Sequence, residues 1–138
     1  MQIKQISIFL ENNAGRLAEV TGVIAKAGVD IRAISIADTA DFGILRVIVN
    51  KPEVATEALV NAGFTTRVTD VLAVEIDDKP GSLANVMKLF KDTGVNIEYL
   101  YASLEGCDGK AIVIFKVEDI AHGLKIVCDH GLSTRDKF

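Results

Sequence analysis

The sequence predicts an α+β fold made twice over: two small modules, each running β-α-β-β-α-β, packed together. Three observations predict it. Residues recur at a constant spacing of 66 positions, strand-like and helical hydrophobic periodicities succeed one another in that order, and the apolar residues are mostly aliphatic. The 138 residues are 49% hydrophobic and 25% charged, enough apolar side chain to build a core. With 6% aromatic residues and no Trp, that core must consist of Ile, Val, Leu and Ala.

Displaced by 66 positions, Gly15 falls on Gly81, Leu17 on Leu83, Ala18 on Ala84 and Val20 on Val86. Gly28-Val29 falls on Gly94-Val95, Ile31 on Ile97 and Gly43 on Gly109. Val47-Ile48 then falls on Val113-Ile114, and Ala55 on Ala121. Matches across different elements at one offset indicate a duplicated domain, with halves 1–69 and 70–138.

Within the first half, Ile6, Ile8 and Leu10 alternate as in a strand with one buried face. Leu17, Val20, Ile24 and Ala27 follow helical spacing, and Gly28 stands where a glycine stops a helix. Residues 31–36 alternate again, and 44–49 form a nearly continuous apolar run suited to a central strand. Pro52 suits the first turn of a second helix, with Val54, Ala58, Leu59 and Ala62 inward and Gly63 as its stop. Residues 65–69 are strand-like. The second half repeats the order: Leu72, Val74 and Ile76 alternate, Leu83, Val86 and Phe90 mark a helix, and Gly94 stops it. Strands are expected near 97–102 and 111–117, then a helix carrying Ile120, Leu124 and Val127, and a closing strand near 132–136. Each half is a split-βαβ, ferredoxin-like unit: an antiparallel sheet with both helices on one face.

Charge and length narrow the function. The net charge is −4 and no basic run occurs, which disfavours nucleic acid, whose affinity comes mainly from clustered Lys and Arg. No stretch approaches the roughly 18–20 apolar residues of a membrane span. The N-terminus lacks the pattern of a signal peptide, and Cys107 and Cys128 form no C-x-x-C pair. The cytoplasm is the expected compartment.

The turn between first strand and first helix carries the chemistry. It reads Leu10-Glu11-Asn12-Asn13-Ala14-Gly15-Arg16-Leu17 in one half and Ile76-Asp77-Asp78-Lys79-Pro80-Gly81-Ser82-Leu83 in the other. Pro80, or Ala14 in its place, opens the helix. Gly15 and Gly81 leave no side chain over its first turn, so a ligand carboxylate or phosphate can approach the backbone amides. A plain tight turn, with Asn12 and Asp78 as local caps, explains the same residues.

The runs Asn12-Asn13-Ala14-Gly15-x-Leu17-Ala18-x-Val20 and Ala27-Gly28-Val29-Asp30-Ile31 resemble the ACT-domain family. The second half supplies Asp78-Lys79-Pro80-Gly81-x-Leu83-Ala84-x-Val86 and Thr93-Gly94-Val95-Asn96-Ile97. Residues 34–44 look like the stand-alone tandem-ACT proteins of bacteria, some of which are associated with phenylacetate–CoA ligases. The resemblance implies a non-enzymatic regulator that binds an amino acid, without a cofactor. It also implies a strand-to-helix loop of one module facing the second strand of a neighbour. By position this pairs Asn12 with Asn96 and Asp78 with Asp30. An amide pair can hold both carboxylate and ammonium, whereas two carboxylates only accept. The Asn12/Asn96 pair is therefore expected to bind the better. Family members with a polar residue two positions before the loop Asn differ from this chain, which has Leu10 and Ile76.

Arg16 is either a bidentate carboxylate ligand or a solvated helix-start arginine. Asp38, Thr39 and Asp41 are either ligand contacts or a polar hairpin turn. His122, Cys128 and His130 lack the spacing of a nucleophilic or metal-binding set. Tyr99 and Tyr101 share a strand face and suit contact-filling better than base stacking. The expected output is to an unlinked metabolic enzyme, such as an acyl-CoA ligase, or to a second copy in a homodimer. The competing readings are an interaction module without a ligand and a small hydrolase on the same scaffold.

Overall fold

The computed structural model describes residues 2–38 and 41–138, apart from the side chains of Asp38 and Cys107. Thr39 and Ala40, in the expected polar hairpin turn, lie outside the described residues. The chain folds as two compact units, Lys4–Thr69 joined by Phe138, and Asp70–Lys137 joined by the N-terminal segment to Ile3.

The N-terminal module contains β1 (Gln2–Glu11), α1 (Arg16–Lys26), β2 (Ile31–Asp38), β3 (Phe42–Val49) and α2 (Pro52–Asn61). It closes with the first residues of β4 (Thr65–Asp77). β3 is antiparallel to β1 on one side and to β2 on the other, with Leu45 opposite both Ile8 and Ile36. β1 also pairs with β4. Alternation places Ile6, Ile8, Leu10, Leu45, Val47 and Val49 on one sheet face, against Val20 and Ile24 of α1 and Ala55 and Leu59 of α2. Fully burying each such Val, Leu or Ile contributes about 1.5–3 kcal/mol. Both helices therefore cover the same face.

The C-terminal module contains the rest of β4, then α3 (Ser82–Asp92), β5 (Ile97–Cys107), β6 (Lys110–Val117), α4 (Ile120–Asp129) and β7 (Ser133–Arg135). Its strand order is β5-β6-β4-β7, with Val74 opposite both Val113 and Thr134. Leu72, Val74, Ile76, Val113, Phe115 and Val117 meet Val86 and Phe90 of α3 and Val127 of α4. Here an aromatic pair, Phe90 and Phe115, takes the place of aliphatic residues.

Four local features differ from the sequence expectation. First, β4 is one 13-residue strand, because neither Gly nor Pro interrupts Thr65–Asp77; the expected closing and opening strands are a single element. Second, the spacing between repeats is 66 only as far as β5. Leu10 pairs with Gly43 and Ile76 with Ala111, so Gly43 corresponds to Ala111 and not to Gly109. The two additional residues enter at an irregularity in β5 between Ala102 and Gly106. Beyond it the structural partners are 68 apart: Ala55 matches Gly123 and Leu59 matches Val127. Third, α2 buries Ala55 and Leu59, whereas Val54 is 43% exposed and Ala62 is also outward. Fourth, Leu17 and Leu83 follow helical spacing yet are 45% and 38% exposed, because they sit in the first turn of their helices, off the core.

Candidate functional site

The two strand-to-helix loops adopt one backbone design. Asn12 N–H donates to the Asp41 carbonyl at 3.0 Å, and Asp78 N–H to that of Gly109 at 2.8 Å. Asn13 and Lys79 N–H groups donate two residues back, to Glu11 and Asp77. Arg16 N–H then donates to the Asn13 carbonyl, and Ser82 N–H to that of Lys79, both at 3.3 Å.

Gly15 and Gly81 are the N-caps of α1 and α3, at φ +88° and +90°, and neither helix has a side-chain cap. The helices thus start at Arg16 and Ser82, two residues after Ala14 and Pro80, and Asn12 and Asp78 do not cap them. A Cβ on either glycine would meet nothing within 4 Å, so glycine answers the left-handed backbone, not a lack of space. With no side-chain oxygen over them, the amides of each first turn keep the partial positive charge of a helix start.

Beside the first loop is a recess of about 270 Å³. Leu10, Gly43, Leu17 and Ile36 line it with apolar surface, the first two buried and the last two half-exposed, and Glu11, Asn12, Asn13 and Arg16 line it with polar groups. Asn13 Nδ2 donates to Glu11 Oε2 at 3.0 Å. Arg16 is committed along its own helix: Nη1 lies 2.7 Å from Glu19 Oε2, and the guanidinium stacks 4.7 Å from the Phe64 ring centroid.

In the C-terminal module the recess beside the loop extends to the α4–β7 turn and measures about 420 Å³. Ile76, Lys79 and Ser82 line it, as do Glu75, Asp77, Asn85, Lys110 and His130, none of which was singled out from sequence as a ligand residue. Lys110 hydrogen-bonds the Asp77 carboxylate, holding its pKa below the ordinary range, with the charge of Lys79 adding to the effect.

Other expected ligand residues lie elsewhere. Ala14, Gly15, Asp78, Pro80, Gly81 and Leu83 are exposed and line neither recess. Asp30 N–H donates to Asn50 Oδ1 at 2.9 Å, and its carboxylate pairs with Arg32 at 2.8 Å. Asn96 Nδ2 donates to Glu118 Oε2 at 3.2 Å, beside a small recess of about 140 Å³ that His122 also lines. Asn12 follows β1 while Asp30 precedes β2, and both strands run antiparallel to β3, so the two residues occupy opposite ends of their sheet. Neither module by itself unites its loop with its Asp30 or Asn96 position. Asp38 ends β2, and its side chain lies outside the described residues.

His122 donates from Nε2 to the Thr93 carbonyl, and His130 from Nδ1 to that of Ile126. Among the described residues, no three His, Cys, Asp or Glu side chains gather as a metal-binding group, and no helix is long and apolar enough to cross a membrane. Ile36 and Gly43 were visible only as part of the family-like stretch 34–44; their place in the recess follows from β2–β3 pairing.

Tandem α+β modules, each with a recess beside a glycine-opened helix, define a class of paired small domains. The chain belongs to the family of ACT domain pairs, whose family model matches residues 1–135; such pairs are typically small-ligand-binding regulatory domains. A crystal structure of a Bacteroides thetaiotaomicron protein superposes with a TM-score of 0.92 at 38% identity, over 98% of this chain and 92% of that one. The ligand-free regulatory subunit of aspartate kinase from Thermus thermophilus shares the fold at TM-score 0.66 and 20% identity, over 93% and 92% of the two chains. The regulatory subunit of aspartate kinase from Thermus flavus does so at 0.61 and 19%, over 91% and 90%. No curated protein matches the sequence at comparable stringency.

Proposed function

We propose that this chain is a regulatory sensor of an amino acid, held at the β1–α1 loop of the N-terminal module. The observation that carries this reading is the recess of about 270 Å³, in which Leu10, Leu17, Ile36 and Gly43 meet the polar residues Glu11, Asn12, Asn13 and Arg16. The polar residues suit a carboxylate and an ammonium together, since amides both donate and accept. The apolar surface suits a small aliphatic side chain. The regulatory role of the similar aspartate kinase subunits supports the same reading. A binding event without chemistry must act through differential affinity for two states, passed to another protein or to a second copy of the chain in a homodimer. An unlinked metabolic enzyme in the cytoplasm is the proposed target.

Thermal-shift screening of the twenty amino acids tests this, because ligand at 100 times its dissociation constant adds about 2.7 kcal/mol. Calorimetric titration of the best amino acid follows, on the wild type and on Asn12→Ala and Asn96→Ala. Weakened binding in Asn12→Ala supports the loop site, and weakened binding in Asn96→Ala shows that a second module contributes. No shift with any amino acid overturns the reading.

A ligand-free interaction module is favoured by one observation: Phe42 is 61% exposed, Ile36 49% and Phe9 42%, all in the N-terminal module. Concentration-dependent sedimentation of the wild type and Phe42→Ser distinguishes that reading.

A further inference from the structure

The same flank of the first helix is plugged in one module and open in the other. In the N-terminal module Arg16 covers it, stacked on Phe64 at 4.7 Å and tied to Glu19 at 2.7 Å. By register, Ser82 replaces Arg16, Asn85 replaces Glu19 and Leu132 replaces Phe64 in the C-terminal module. The match is supported at both ends. Phe64 and Leu132 make equivalent backbone bonds, to Leu59 and Val127, and Glu11 pairs with Phe42 as Asp77 does with Lys110. Every part of the plug is gone, and a cleft of about 420 Å³ stands in its place.

The cleft sets two lysines and two neutral polar side chains beside an apolar surface. Ile76, Val86, Leu89 and Leu132 form the apolar part. Lys110 and Lys79 both approach the single carboxylate of Asp77, the latter at 3.6 Å, so two ammonium groups share one carboxylate there. The other acid on the wall, Glu75, lies 3.7 Å from Arg135, which is shared with Glu105 at 3.2 Å. Ser82 and Asn85 add neutral donors. The glutamate and the ring that hold the Arg16 guanidinium have no counterpart here.

We propose that this cleft is a second ligand site, specific to the C-terminal module, for a small organic acid with a branched apolar body. It needs no ammonium on its ligand and does not depend on the amino-acid reading of the N-terminal recess. The carboxylate binds between Lys110, Ser82 and Asn85, and the apolar body lies over Leu89 and Leu132.

The test is an amide-resolved NMR titration of the full chain with isovalerate and with its neutral analogue isovaleramide. Isovalerate should shift Ser82, Asn85 and the Gly131–Ser133 turn saturably, and isovaleramide should not. Lys110→Gln, at an exposed residue, should weaken isovalerate at least tenfold. Transplanting the plug as Ser82→Arg, Asn85→Glu and Leu132→Phe should abolish the shifts; if that variant does not fold, Lys110→Gln decides alone. No saturable shift with isovalerate, equal shifts with the amide, or an unchanged affinity in Lys110→Gln each overturns the proposal. Signals of Asn12, Leu17 and Gly43 report separately on the other recess, so the two readings fail independently.

Discussion

The Phe90 ring meets that of Phe115 edge-on, with centroids 5.3 Å apart and planes at 90°. Both side chains are fully buried, and the same positions in the N-terminal module hold Ile24 and Val47. At these two positions the C-terminal core makes an aromatic contact and the N-terminal core an aliphatic one. Phe90→Ala should cost about 3–5 kcal/mol, whereas Phe90→Leu keeps most of the volume and should cost under about 2 kcal/mol. Urea unfolding monitored by circular dichroism reads both. A Phe90→Ala loss below about 1 kcal/mol would show that this core repacks.

Two glycines within helices should respond to alanine with opposite signs. Gly22 is exposed on α1 and a Cβ there would meet nothing within 4 Å, so Gly22→Ala should stabilise by about 0.5–1 kcal/mol through lower backbone entropy in the unfolded chain. At Gly123 the new Cβ would stand 2.9 Å from Val117 Cγ2 and 3.1 Å from Leu72 Cδ1, both core side chains. Relieving that overlap costs about 1–3 kcal/mol, more than the helix propensity returns. Thermal denaturation of the two variants should show one melting temperature rise and the other fall.

Gly123 also shows where sequence reasoning stopped. The β-α-β-β-α-β order was legible because Ile6, Ile8 and Leu10 alternate, whereas Val20 and Ile24 are spaced as on a helix. The duplication was legible through the β1–α1 loop, where Gly15 and Gly81 meet the same backbone requirement. The two-residue insertion in β5 was not. Val47-Ile48 and Val113-Ile114 match at the wrong offset because short β-branched runs resemble each other at almost any offset. The helix starts expected from sequence fall two residues early because proline favours a first helical turn, yet Pro80 precedes a left-handed N-cap. The C-terminal cleft was illegible for a different reason. Its walls come from β4, α3, β6 and the α4–β7 turn, which only strand register brings together.

Asp77 and Lys110 predict a pH dependence. The hydrogen bond from Lys110, then the charges of Lys110 and Lys79, hold the Asp77 carboxyl below its ordinary value. A depressed folded pKa means that the stabilisation is present at neutral pH and is lost as the pH falls through the folded value. The Lys110 ammonium is raised by the same bond, so its share is lost only as the pH rises through that raised value. Asp77→Asn should therefore be less stable than wild type near neutrality, and the gap should close as acid titrates the wild type. Because both groups are exposed, the gap should also shrink in high salt. Parallel unfolding series at several pH values and two salt concentrations measure this; a gap that widens in acid would contradict it.

Gly43 offers the sharpest probe of the N-terminal recess. It lines the recess opposite Leu10 in the β1–β3 pairing, and its backbone does not require glycine. A Cβ there would meet Ile36 Cδ1 at 3.5 Å, an ordinary contact, so a larger side chain extends into the recess without disturbing the sheet. Valine also suits a strand better than glycine, by up to about 1 kcal/mol. Gly43→Val should leave stability unchanged or slightly higher while weakening amino-acid binding at least tenfold, about 1.4 kcal/mol. Few substitutions separate the two quantities so cleanly, since most that damage a site also damage the fold around it. Calorimetric titration beside urea unfolding reads both on one preparation. Full affinity in a stable Gly43→Val protein would move the ligand off this surface and leave the recess as packing space alone.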